Sequence, residues 1–188
     1  RIGDSAGEVV FTIQNLALSG DLMSVSLRGY AGALVGYLDF SVVDNCSSSG
    51  EFTAASSYSG GLVGYAEDNS IIKNSFTTGS VTGSGELGGL LGYAYNKVQV
   101  INSYATGNVT SSSSYVGGLV SYIEDAVIIK NSYATGNVTA SSSSVGGLVG
   151  TIDDDPQLDS LIINSYATGD VNGTDDVGGL AGEIYITG

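Results

Sequence analysis

Apolar side chains in this chain come in short bursts of Val, Ile, Leu and Tyr, each bounded by Gly, Ser or Asn, and no stretch keeps the 3.6-residue beat of a helix. Such bursts read as short strands. One burst recurs as a mostly β-branched column, Ile13, Val43, Ile72, Val100, Ile129 and Ile162. Two residues after each of these stands an asparagine: Asn15, Asn45, Asn74, Asn102, Asn131 and Asn164. Five residues beyond each Asn comes Gly20, Gly50, Gly79, Gly107, Gly136 or Gly169, and seven beyond it Leu22, Phe52, Val81, Val109, Val138 or Val171. The polar and apolar positions therefore repeat as a block.

A second block keeps the same beat. It reads GALVGY at Gly32, GGLVGY at Gly60, GGLLGY at Gly88, GGLVSY at Gly117, GGLVGT at Gly146 and GGLAGE at Gly178, with steps of 28, 28, 29, 29 and 32 residues. The longest step carries an insertion around Asp153-Asp154-Asp155-Pro156. An array of several short strands per unit, in which identical residues return once per turn, predicts an all-β parallel β-helix of about six coils and roughly 28–32 residues per coil. Right-handed coiling is expected from parallel crossovers. The whole chain, 1–188, is expected to be one solenoid domain, with repeats near 13–36, 43–64, 72–92, 100–121, 129–150 and 162–182. Strand alternation places the Asn column inside the coil beside the Ile column, where stacked amides would satisfy one another as a structural ladder. The parity of the Val109 column disagrees with that of the Asn column, so a corner is expected near Thr106-Gly107.

The Gly-Leu-any-Gly core, seen in Gly61-Leu62-Val63-Gly64 and Gly147-Leu148-Val149-Gly150, resembles the GLUG motif over residues from about 30 to 182. The resemblance implies a large secreted or surface-anchored protein, because such repeats occur in adhesin-like chains and in the non-catalytic parts of immunoglobulin A metallopeptidases. It implies architecture and an extracellular or cell-surface location, and no activity. Ala33, Ser121, Thr151 and Glu183 depart from the motif, as drift in a scaffold would produce.

Composition narrows the chemistry. The 188 residues include no His, one Cys (Cys46), 29 Gly and 12 Tyr, with 19 acidic against 5 basic side chains and a formal charge of −14. Without His there is no Ser-His-Asp or Cys-His nucleophile and no HExxH zinc site, so the chain is expected not to be an enzyme. The charge disfavours nucleic acid as a partner. No apolar run is long enough for a helical membrane span, and no signal segment precedes Arg1, so a processed or excised chain without membrane insertion is expected.

Several residue patterns are candidate sites. The outward positions beside the Val109 column, Asn108/Thr110, Asn137/Thr139, Ser80/Thr82, Glu51/Thr53 and Asp170/Asn172, suggest an ice-ordering face, though the charged members interrupt it. Asn108, Asn137 and Asn172 head sequons and are candidate N-glycosylation sites; Asn45 also matches but is expected to stay bare as a buried ladder member. Glu67-Asp68, Glu124-Asp125 and Asp153-Asp154-Asp155 would stack along one edge, making Asp153, Asp154 and Asp155 the calcium candidates against a favoured reading of a solvated edge without cofactor. Gly83-Ser84-Gly85-Glu86-Leu87-Gly88 matches a dinucleotide fingerprint by letters alone, with no βαβ unit around it. Neighbouring Leu62 and Val63 cannot both face inward along one regular strand. Either a Gly corner intervenes, which is favoured, or Val35, Val63, Leu91, Val120 and Val149 form an exposed stripe with Tyr37, Tyr65, Tyr93 and Tyr122. The column Phe76, Tyr104, Tyr133 and Tyr166 reads as a stacked rim before a carbohydrate platform.

Strand-like segments at both ends show no strong cap, and Val9, Phe11, Ile13, Ile184, Tyr185 and Ile186 are the candidate assembly residues. The expected function is an extracellular, non-enzymatic stalk, adhesive or filament-forming module. Its partners would be copies of itself, the rest of a longer surface protein, or host or matrix glycans. The alternative is a module that binds glycan, ice or protein through a Tyr or Thr/Asn face.

Overall fold

The computed structural model describes residues 11–24, 29–55 and 57–186. They form thirty strands and no helix, gathered into five six-stranded sheets whose neighbouring strands come from successive coils. The third coil shows the plan: Ile71–Lys73, Phe76–Thr77, Val81–Gly83, Glu86–Gly88 and Leu91–Tyr95 each enter a different sheet, here named A to E in that order. Pairing is parallel and in repeat register, with Ile72 between Val43 and Val100, and Val81 between Phe52 and Val109. The chain is thus a β-solenoid of six coils in which each column of the repeat becomes a physical stack.

The interior is divided. One apolar cluster joins sheets A, B and E through Val43, Ile72, Leu90, Val120, Ile129 and Leu148; the other joins sheets C and D through Phe52, Val81, Leu87, Val109, Val138 and Val145. The divider is the Gly that precedes Leu in the block, the second of the motif. A methyl at Gly89 would lie 2.8 Å from Ala105 Cβ and one at Gly118 2.9 Å from Ala134 Cβ, so only Gly lets sheet B approach. Ser48 and Thr77 of sheet B donate hydroxyl bonds to the Gly61 and Gly89 carbonyls at 2.7 and 2.8 Å, tying the waist. Just after that Gly the chain turns so sharply that the Leu62 and Val63 N–H groups both donate to the Leu90 carbonyl, each at 3.0 Å. Leu62 and Val63 are consequently both fully buried, as are Leu91, Val120 and Val149. The Gly corner holds, and the exposed valine stripe does not form.

The asparagine column is a ladder on the outside, which corrects its expected burial. Asn15, Asn45, Asn74, Asn102, Asn131 and Asn164 are all exposed and all adopt the left-handed region, with φ between 50° and 60°. A single left-handed residue turns the chain, so the simple inside-outside count fails at that step, and Asn is among the few residues that adopt it readily. The amides still stack: Asn102, Asn131 and Asn164 each donate from Nδ2 to Oδ1 of the Asn one coil earlier, at 3.3, 3.1 and 3.3 Å, and Asn45 does so to Asn15 at 2.8 Å. Asn74 instead donates to the Asp44 carboxylate at 2.8 Å, a bond that holds this carboxyl below its ordinary range.

The buried polar ladder is the serine that follows. Backbone N–H groups of Cys46, Ser75, Ser103 and Ser132 donate to the hydroxyls of Ser75, Ser103, Ser132 and Ser165 at 3.1–3.2 Å. The Ser75, Ser103 and Ser132 hydroxyls in turn donate to the carbonyls of Lys73, Ile101 and Lys130. Gly107 does mark a corner, and close approach is what demands it. A Cβ there would collide with the Gly79 carbonyl of the coil below, and Gly50, Gly79, Gly136 and Gly169 repeat the contact.

Candidate functional site

Sheet C presents a flat polar face. Thr53, Thr82, Thr110 and Thr139 form an exposed column whose chain neighbours Phe52, Val81, Val109 and Val138 are buried. Beside it the side chains of Asn108 and Asn137 accept the backbone N–H of Asn137 and Asp170 at 2.9 and 3.0 Å. Those amide oxygens stitch coil to coil. Asn108, Asn137 and Asn172 lie on the surface, and so does Asn45, whose expected shielding from modification therefore has no basis in burial.

The acidic edge is a corner between sheets E and A. Asp68-Asn69, Asn96-Lys97 and Asp125-Ala126 are stacked pairs of left-handed residues, which accounts for Asp and Asn there without any ion. Asn96 Nδ2 donates to Asp68 at 2.6 Å, and the Asp155 N–H to Asp125 at 3.2 Å. The calcium candidates Asp153, Asp154 and Asp155 serve three separate tasks and do not converge. Asp153 accepts the Tyr122 hydroxyl at 2.9 Å, Asp154 takes both the N–H and the hydroxyl of Ser160, and Asp155 takes the Gln157 N–H. Among the described residues the carboxylates that do converge are Asp39, Glu67 and Asp68, with oxygens within 4.8 Å of one another.

Two aromatic systems differ in what they can offer. On sheet B the rings of Phe76, Tyr104, Tyr133 and Tyr166 stack face to face, 4.8, 4.8 and 5.1 Å apart and within 5° of parallel. Each ring covers the face of the next, so the column shows only ring edges to its side and cannot serve as a sugar platform along its length.

The second system lies outside both apolar clusters, where sheets D and E close on each other. A Cβ on Gly92 would come within 2.7 Å of the Ser59 nitrogen, so the motif's third Gly brings strand backbones together. Tyrosines fill the notch beyond them. Tyr65 is buried, stacks on Tyr37 at 5.3 Å, lies 4.3 Å from Tyr30 and meets Tyr93 edge-on at 4.9 Å. Tyr93 also stacks on Tyr58 at 4.7 Å and meets Tyr122 at 5.0 Å. The hydroxyls donate to carboxylates of the following coil: Tyr37 to Glu67, Tyr93 to Glu124 and Tyr122 to Asp153. Burial raises the phenol pKa of Tyr65 and Tyr122, and that of Tyr58 to about 12. Burial also lifts Glu86, in register with Tyr58, to about 7. Sequence reasoning named the tyrosines of sheet E but missed their union with Tyr30, Tyr58 and the carboxylates, because residues seven apart in the chain meet only after the Gly corner folds them together.

The end coils carry uncovered apolar side chains. Phe11 is 50% exposed at one end, and Ile184 and Ile186 are 68% and 67% exposed at the other; Ile13 is half-buried in the sheet A column. Phe11 and Ile13 line an open cup with Val35, Tyr37, Leu38, Asp39 and Ser41. Tyr185 turns sideways, its hydroxyl 2.6 Å from that of Tyr122. Val9 lies outside the described residues.

Together these surfaces define a class, the parallel β-solenoid built of near-identical coils with polar ladders at its corners. A family model described as the GLUG motif matches residues 28–53, 55–82, 83–110, 112–139 and 141–172. The chain belongs to the GLUG-motif family. No curated protein matches it.

Proposed function

We propose that the chain is a non-enzymatic structural module of an extracellular or cell-surface protein, a stalk, adhesive or filament subunit extended by stacking coil upon coil. The observation that carries this reading is the unbroken register of the five sheets, which further coils of the same kind would continue, together with the exposed apolar side chains of Phe11, Ile184 and Ile186 in the first and sixth coils. A second copy would continue every stack. Ile162 would meet Ile13, Tyr166 would meet Ala17, and Asn15 Nδ2 would donate to Asn164 Oδ1 in the sense that the ladder already runs. The binding-module alternative draws on the exposed Thr53 to Thr139 column and the surface position of Asn108 and Asn137.

Electron microscopy of the purified chain across a concentration series tests the proposal. Fibres with an axial repeat of about 29 Å, six coils at roughly 4.8 Å, are expected, and the double substitution Ile184→Lys, Ile186→Lys is expected to abolish them. Monomers at every concentration would overturn self-assembly and leave the Thr/Asn face as the surface to probe with glycans.

A further inference from the structure

The tyrosine notch is more than packing. Its rings touch in an unbroken series across four coils, Tyr122 to Tyr93 to Tyr65 to Tyr37, at centroid separations of 5.0, 4.9 and 5.3 Å. Each phenol in the series has a carboxylate on its hydroxyl: Asp153 for Tyr122, Glu124 for Tyr93, and Glu67 for both Tyr65 and Tyr37. Tyr65 and Tyr122 hold their protons more tightly than free tyrosine, so the neutral phenol is the species present and loss of an electron must be joined to loss of the proton. A carboxylate already hydrogen-bonded to the phenol is placed to take that proton. The surface end of the series is Tyr37, 37% exposed, beside Tyr30, 40% exposed.

We propose that the notch is a relay for one-electron oxidation, which accepts an oxidising equivalent from a one-electron oxidant and delivers it to Tyr37 and Tyr30. In the first step the oxidant gains one electron, the Tyr122 O–H bond breaks, and its proton passes to Asp153, leaving a neutral phenoxyl. Tyr93 then gives an electron to Tyr122, which takes back its proton from Asp153, while the Tyr93 proton moves to Glu124. Tyr65 repeats the exchange with Glu67 as acceptor. When Tyr37 reduces Tyr65, the proton on Glu67 returns to Tyr65 and the Tyr37 proton replaces it. Charge and protons balance at every step. At the surface the Tyr37 phenoxyl is consumed by coupling with a second phenoxyl radical through their ortho carbons, each ring hydrogen being lost as the hydroxyl re-forms.

The test starts the hole at the far end. A ruthenium polypyridyl photo-oxidant is attached to Asp175→Cys in the sixth coil, about five coil steps or 24 Å from the first; the native Cys46 is buried and does not compete. After flash oxidation, peptide mass spectrometry maps modified tyrosines. Oxidation at Tyr37 and Tyr30 is expected, and Tyr93→Phe, which keeps the ring but breaks the series, should lower it at least fivefold without lowering that at Tyr122. Tyr104→Phe, on sheet B, should leave it unchanged, which separates the relay from a general loss of folding. Products confined to Tyr122, an unaltered yield at Tyr37 in Tyr93→Phe, or Tyr166 modified as strongly as Tyr37 would each overturn the relay.

Discussion

At the residue scale, Glu86 stands in a column where the neighbouring coils place tyrosine, and one of its carboxylate oxygens is buried without a hydrogen-bond partner. Burial raises its pKa from 4.5 to about 7, so the folded chain holds this proton more tightly than the unfolded chain does. That stability is fully present below about pH 4.5 and is lost as pH rises to about 7. The shift would cost about 3 kcal/mol if the group were wholly dry, and solvent screening of a half-buried carboxylate reduces this to about 1–2 kcal/mol. Urea denaturation at pH 4.5 and pH 8 is expected to show higher stability at the acid value, and Glu86→Gln to shrink the difference by that amount. A steeper loss in Glu86→Gln would refute the assignment. Nothing about Glu86 alone announced this behaviour. Its letters, in Gly83-Ser84-Gly85-Glu86, resembled a chance dinucleotide motif, and only the neighbouring coil shows that it occupies a tyrosine's place.

At the scale of single strands and corners, the repeated glycines separate by cause. Gly107 has no unusual φ, yet a Cβ would strike the Gly79 carbonyl, which belongs to a backbone pinned by its own ladder. Gly179 has nothing within 4 Å of that position. Gly107→Ala is expected to destabilise the fold by about 3 kcal/mol or more, as overpacking against backbone does, while Gly179→Ala stays within about 0.5 kcal/mol; thermal unfolding of both variants measures the contrast. Equal effects would remove close approach as the reason for the conserved spacing within the repeat. The same scale shows what could be read in advance. The inward Ile72 and Val81 columns follow from spacing, because strands alternate; the bend at Gly107 does not, because the parity changes at the left-handed Asn102, after which Ser103, Ala105 and Val109 all face inward. The outward turn of Asn74 does not, because one left-handed residue resets the count, and a reader of letters cannot see φ. The buried Ser75 column was therefore hidden behind the asparagine that precedes it. For the notch, the sheet E tyrosines were legible, whereas their carboxylate partners sit a full coil away.

At the scale of the molecule, coil number and stacking were legible from the repeat, since six copies of two blocks at steps of 28 to 33 residues admit little else. The waist that splits the interior was not, because Gly89 and Ala105 reveal their contact only when sheet B is set against the corner. The strand pairing joins each coil only to its neighbours, and those backbone bonds lie along the long axis. A chain held at its two termini and drawn apart is loaded along those same bonds, which open in sequence from an end and never all at once. Each coil of about 29 residues should then pay out roughly 90–100 Å of slack. Optical-tweezer traces are expected to show a staircase of near-equal steps at modest force, and a single large rupture would contradict it. A tether built this way yields by lengthening in measured amounts, a shock absorber with one notch per turn.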